Sequence, residues 1–74
     1  MFEKEVVLYW PNGKLKRKCN FEGGFRHGLD QMWDEEGQLV DEGRYEKGQP
    51  VGEHRRWDKR GRLIEEKSWD TKKT

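Results

Sequence analysis

Two histidines, one cysteine and fifteen carboxylates are the side chains of this chain that could do chemistry. His27 directly precedes Gly28, with Asp30 nearby, and His54 follows Gly52 with Glu53 between them. A metal centre needs about three converging ligands, and the sequence has no HxxxH, CxxC or HExxH spacing. Both histidines therefore read as surface residues in connections, and no metal is expected. Cys19 could pair with a histidine as nucleophile and base only if the fold brought them together. Its place between Leu15 and Phe21 reads instead as a small apolar residue on a buried face. Asp34, Glu35 and Glu36 form a turn tip, and Asp41 and Glu42 straddle two faces of a strand, so neither group makes an isolated acid–base pair. The glycines of Glu22-Gly23-Gly24 lack the helix start and lysine of a phosphate loop. These residues predict no catalytic group and no cofactor, and hence a protein that is not an enzyme.

What positions these residues is a period of 24. Gly13, Gly37 and Gly61 are each followed two places later by leucine (Leu15, Leu39, Leu63) and six places after that by an aromatic (Phe21, Tyr45, Trp69). Four places before each glycine stands Tyr9, Trp33 or Trp57, and Gly24 and Gly28 match Gly48 and Gly52. A fixed period of this length marks one supersecondary unit stacked on copies of itself. The leucines and aromatics are separated by even numbers of residues, the period of a strand. Pro11-Asn12-Gly13, Asp34-Glu35-Glu36-Gly37 and Lys59-Arg60-Gly61 supply turns, as do Glu22-Gly23-Gly24 and Glu46-Lys47-Gly48-Gln49-Pro50. The expected fold is all-β: a single-sheet antiparallel β-meander of five or six strands, built from about 2.5 repeated hairpins with almost no helix. It forms one domain over residues 1–74, with units at about 5–28, 29–52 and 53–70 and a tail at 71–74.

At 74 residues, with 30% hydrophobic and 42% charged side chains, the chain has little to bury. Four Trp, three Phe and two Tyr counter this, because each large aromatic can bury about 150–250 Å². A single cysteine allows no internal disulfide, which favours a reducing compartment. MFEKEVVLYW carries acids and too short an apolar run for a signal peptide or a membrane span; the expected location is cytoplasmic. The net charge of +1 conceals segregation. Residues 1–28 carry six bases and three acids (+3), residues 29–48 two bases and seven acids (−5), and residues 49–63 five bases and two acids (+3). Neighbouring units should therefore attract one another through cross-strand ion pairs.

If Trp33 and Leu39 face each other across their turn, Tyr9, Trp33, Trp57, Leu15, Leu39, Leu63, Phe21, Tyr45 and Trp69 all fall on one face, with Leu8, Met32, Val40 and Ile64 on the other. Nine large residues on one face of a lone sheet exceed what monomers usually expose, so sheet curvature, a second copy or a partner must cover them. The partner-binding residues expected are Trp33, Tyr45, Trp57 and Trp69 as buried anchors, with Arg55, Arg56, Asp34 and Glu36 steering the encounter. Lys14, Lys16, Arg17 and Lys18, and Arg55, Arg56, Lys59, Arg60 and Arg62, form two basic patches that could hold nucleic acid. The acidic unit between them disfavours that reading.

The segments YWPNGKLKRKCNFEGGFRHG and WDEEGQLVDEGRYEKGQPVG resemble the repeat Y-Y-x-N-G-K-L-x-x-E-G-x-Y-x-x-G-K-x-x-G of the variant MORN-repeat family, which includes the YwqK-like antitoxins. The resemblance runs from Tyr9 to Trp69. Cys19 and Lys67 depart from it, standing where Gly43 stands in the middle unit. It implies a β-hairpin array that binds protein, in the antitoxin branch by capturing a toxin. The expected function is thus a non-enzymatic protein-binding module, antitoxin-like or inhibitor-like. The alternatives are a self-associating scaffold protein, with a homodimer closing over the aromatic face or the outer strands, and a nucleic-acid-binding protein. No membrane partner is expected.

Overall fold

Glycine placement decides where this chain can reverse. Gly13, Gly37 and Gly61 have φ of 90°, 92° and 82°, the left-handed conformation that L side chains resist. Each closes a tight turn in which its amide donates to the carbonyl three residues earlier, Trp10, Asp34 or Asp58. Asp34 and Asp58 brace their turns with Oδ1, which accepts two amides in each case: those of Glu36 and Gln38, and those of Arg60 and Arg62. In the first unit Trp10 takes the aspartate's place, and Asn12 Oδ1 accepts the Lys14 amide instead.

The computed structural model describes residues 3–69, so the expected tail at 71–74 lies outside the described residues. Strands β1 (Glu3–Tyr9), β2 (Leu15–Glu22), β3 (Phe25–Arg26), β4 (Gly28–Trp33), β5 (Leu39–Glu46), β6 (Gln49–Trp57) and β7 (Leu63–Trp69) form one antiparallel sheet. The order across it is β1-β2-β4-β5-β6-β7, with the short β3 also paired to β2. The hairpin array is therefore as expected, and no helix occurs among the described residues. The strand number exceeds five or six because one strand is interrupted between β3 and β4, at His27. The cause is visible at Gly28, which has φ of 93°. Its counterpart one period later, Gly52 (φ 70°), produces a register shift inside β6 without dividing it.

The expected single aromatic face is not formed. Register slips by one residue at Leu8/Tyr9, Met32/Trp33 and Arg56/Trp57, the same position in all three units. Lys16, Val40 and Ile64 are each the extra residue of a bulge. Side chains alternate along a strand and directly opposed residues share a face, so an odd residue moves everything beyond it to the other side. Phe21, Tyr45 and Trp69 lie on one face, called A here, with Cys19, Met32, Asp41 and His54. The pairs Tyr9–Leu15, Trp33–Leu39 and Trp57–Leu63 lie on the other face, B. Leu8 and Met32, expected opposite the aromatics, share face A with three of them.

The sheet is a single layer, with extents of 42 × 29 × 9 Å. Most domains bury a sheet face against a second layer; here Cys19, 3% exposed, is the one fully buried apolar residue described. Its expected burial on the aromatic face is therefore found, and the core is otherwise shared among half-exposed side chains.

Candidate functional site

Face A carries a row of aromatic rings that crosses three strands. The ring of Tyr45 on β5 meets His54 on β6 edge-on, with centroids 5.2 Å apart, and His54 meets Trp69 on β7 at 6.3 Å. A cation sits over each end of this row: the Arg26 guanidinium 5.0 Å from the Tyr45 ring, and Lys67 Nζ 5.6 Å from the Trp69 ring. Two shallow hollows flank Asp41 and Tyr45. One, of about 230 Å³, adds Pro50, His54, Arg56, Glu65, Lys67 and Trp69; the other, of about 260 Å³, adds Arg17, Arg26, Asp30, Met32 and Gly43.

His54 reaches this position because Gly43 leaves room for it. A Cβ on Gly43 would stand 2.2 Å from His54 Nδ1. The imidazole Nε2–H donates to the Arg44 carbonyl at 2.9 Å, which locks the ring flat against the bare backbone. One period earlier the sizes are exchanged: Cys19 fills Gly43's place, and the shorter Asp30 fills that of His54. Asp30, 8% exposed, accepts from Arg17 Nε and Nη2 at 3.2 and 2.9 Å, with Arg26 at 3.9 Å. The paired hydrogen bonds that Arg17 donates to Asp30 hold its guanidinium protonated more firmly than usual, against the opposing effect of its burial.

Asp41 is the unsettled group of this face. Burial pushes its carboxyl above the ordinary range, and Arg56, with Nε 4.0 Å away, only partly offsets this. Arg56 gives its closer contact to Glu65, at 3.1 Å. On face B, Arg55 is held by Glu66 at 2.8 Å and by Glu53, and its guanidinium is correspondingly stabilised in the charged form.

Of the eight residues expected to bind a partner, Tyr45, Trp69 and Arg56 come together on face A. Trp33 and Trp57 are carried to face B by the bulges, and Arg55 lies there among carboxylates. Asp34 spends Oδ1 on its own turn. Glu36 is exposed at the turn tip, where its carbonyl accepts from Lys14 Nζ at 3.4 Å. Sequence reasoning missed Arg26, Lys67 and His54, the last because it reads as a connection residue although β6 runs through it. The departure of Lys67 and Cys19 from the glycine of the middle unit was the available signal for this row. Trp10 was missed too. Its indole Nε1–H donates to the Trp33 carbonyl at 3.1 Å, Lys16 Nζ lies 4.7 Å from its ring, and it lines a hollow of about 350 Å³ with Asp34, Glu35, Glu36 and Lys59 at the row of turns.

The expected attraction between units is visible at their junctions. Arg17 of the basic first unit pairs with Asp30 of the acidic second, and Arg56 of the third lies near Asp41. Lys18 pairs with Glu5, and Arg62 with Asp58. Arg17 and Lys18 of the first basic patch, and Arg55, Arg56 and Arg62 of the second, are thus matched by carboxylates. Among the described residues no group of three His, Cys, Asp or Glu side chains is placed to hold a metal ion, and no helix is long and apolar enough to cross a membrane.

A family model described as a MORN repeat variant matches residues 2–22, the stretch that contains the β1–β2 hairpin. Comparison with curated proteins and with solved structures returned no match. The matched hairpin recurs, one and two periods on, as β4–β5 and β6–β7.

Proposed function

We propose that this protein is a non-enzymatic protein-binding module, antitoxin-like or inhibitor-like, that works in the cytoplasm and docks a protein partner on face A. The observation that carries the reading is the row Tyr45–His54–Trp69, capped by Arg26 and Lys67 and bordered by Arg56 and Asp41, on a sheet that the described residues leave as a single layer. Aromatic and arginine side chains dominate binding energy at interfaces, and a flat exposed face is the surface on which such anchors act. The match of a MORN repeat variant to the first hairpin supports a binding array rather than a catalyst. Tyr45 and Trp69 are the anchors, Arg56 and Arg26 orient the partner, and Trp33, Trp57 and Arg55 belong to the sheet's other side.

The test compares two variants against a partner captured by the wild-type protein. Replacing both anchors, Tyr45→Ala with Trp69→Ala, should weaken binding by about 2–4 kcal/mol, while Trp57→Ala, on face B, should leave affinity within about 0.5 kcal/mol. Isothermal titration of each purified variant reads the difference. Equal losses from both would overturn the assignment to face A.

A further inference from the structure

Exposed apolar side chains are concentrated on the last described strand. Of the six large hydrophobic residues that stand most exposed, Leu63, Ile64 and Trp69 belong to β7, at 49%, 59% and 42%. No described strand pairs with the outer side of β7, so the backbone donors and acceptors of its alternate residues, those not directed at β6, face outward. Natural sheets usually blunt such an edge with a proline, a bulge or charged side chains, and β7 carries the last of these in Glu65, Glu66 and Lys67. Leu63–Trp69 contains no proline, and its one register shift lies at its beginning.

We propose that β7 is a self-recognition edge, on which a second copy of this chain pairs antiparallel about a two-fold axis through Glu66. The argument is charge complementarity. In that register Glu65 lies opposite the partner's Lys67 and Lys67 opposite the partner's Glu65, so two ion pairs form on face A. Ile64 lies opposite the partner's Ser68. Glu66 meets the partner's Glu66 on face B, where each carboxylate already holds an Arg55 guanidinium at 2.8 Å. Neighbouring registers are worse: an axis through Glu65 or Lys67 likewise opposes one pair of like charges, but forms neither of the two ion pairs that would offset it. The other free edge offers no match. An axis through Val6 of β1 sets Glu5 against Val7 and Lys4 against Leu8. Head-to-tail stacking fails as well. Extending the internal register Asp41↔Arg56 and Glu42↔Arg55 by one period places Glu65 and Glu66 opposite Leu8 and Val7 of the next copy.

A two-fold pairing of this kind closes on itself and makes a dimer rather than a fibre. It also keeps face A of both copies on the same side, so the two Tyr45–His54–Trp69 rows lie on one continuous sheet. The proposal does not rest on the docking reading, since it concerns the strand edge and not the occupant of the face.

The experiment is sedimentation equilibrium of the 74-residue protein and four variants, with circular dichroism to confirm retained β structure. Wild type should show a concentration-dependent dimer. Lys67→Glu should weaken it by about tenfold or more, because two cross-strand attractions become repulsions, and Glu65→Lys should do the same. The double variant Glu65→Lys with Lys67→Glu restores opposite charges across the axis and should recover the dimer. Because Glu65→Lys also sets two cations together beside Arg56, hydrogen exchange provides a second reading: on dilution, β7 amides should lose protection while β1 amides keep theirs. A wild type that remains monomeric throughout overturns the proposal. So does a dimer that Lys67→Glu leaves intact, or one that Val7→Lys on β1 dissolves instead.

Discussion

At the scale of single residues, the site turns on one missing side chain. Gly43 is not in a left-handed conformation; it is small because His54 occupies the volume a Cβ would need, with Nδ1 at 2.2 Å from that position. Gly43→Ala must therefore expel the imidazole from between Tyr45 and Trp69 and from the Arg44 carbonyl. Overpacking of this kind costs about 1–3 kcal/mol, and a second change, His54→Ala, should return most of that loss; thermal unfolding of the single and double variants checks both. The two shifted aspartates predict opposite pH responses. Asp41 has a folded-state pKa raised by burial, so the folded protein binds its proton more tightly than the unfolded chain. Its contribution is most favourable at low pH and is lost as pH rises through the carboxylate range, so Asp41→Asn should stabilise the protein at neutral pH and lose that advantage in acid. Asp58 is lowered, mainly by the Arg62 amide that its carboxylate accepts. Its contribution is present above the unfolded carboxylate pKa and lost as pH falls, so Asp58→Asn should be less stable than wild type at neutral pH and approach it in acid. Urea midpoints from about pH 3 to pH 7 separate the two.

At the scale of elements, each unit is a hairpin whose ends follow different rules. The connections between hairpins are two-residue turns with both residues at positive φ: Gly23 and Gly24 at 61° and 89°, then Lys47 and Gly48 at 52° and 86°. Such turns match the twist of the flanking strands but favour Asn-Gly or Gly-Gly. Lys47 is the one described residue other than glycine with a positive φ. Lys47→Asn should accordingly stabilise the protein by about 0.5–1 kcal/mol, read from chemical denaturation, without altering face A. At the opposite ends, the bulges at Lys16, Val40 and Ile64 turn one expected aromatic face into two. Even spacing could not reveal them, because a bulge changes the face without changing the residue types on either side of it.

At the scale of the molecule, charge does much of the joining that a core does elsewhere. A sheet 9 Å thick buries little, while Arg17–Asp30, Arg56–Glu65, Arg55–Glu66 and Lys18–Glu5 each tie neighbouring strands. Pairs at this exposure are worth about 0–1 kcal/mol apiece and are screened by salt. Raising salt from about 0.05 to 0.5 M should therefore lower stability by about 1 kcal/mol, measured as the urea midpoint. A protein held mainly by apolar burial would respond in the opposite direction in sulfate. The same thinness leaves both faces of the described sheet without a second layer over them.

The period of 24, read from Gly13, Gly37 and Gly61 with their leucines and aromatics, was enough to specify hairpins, turns, an all-β meander and the attraction between oppositely charged units. These depend on local backbone preference and on residues near each other in the chain. Tyr45 and Trp69 were legible as candidate anchors, and Arg56 as a candidate steering charge, for the same reason, since each stands at a repeated or charged position. Which face each aromatic occupies was decided only by tertiary pairing, because one extra residue in each hairpin reverses the side on which Trp33 and Trp57 point. The position of His54 was likewise fixed across strands: its ring has a place only because Gly43, eleven residues away, leaves one empty.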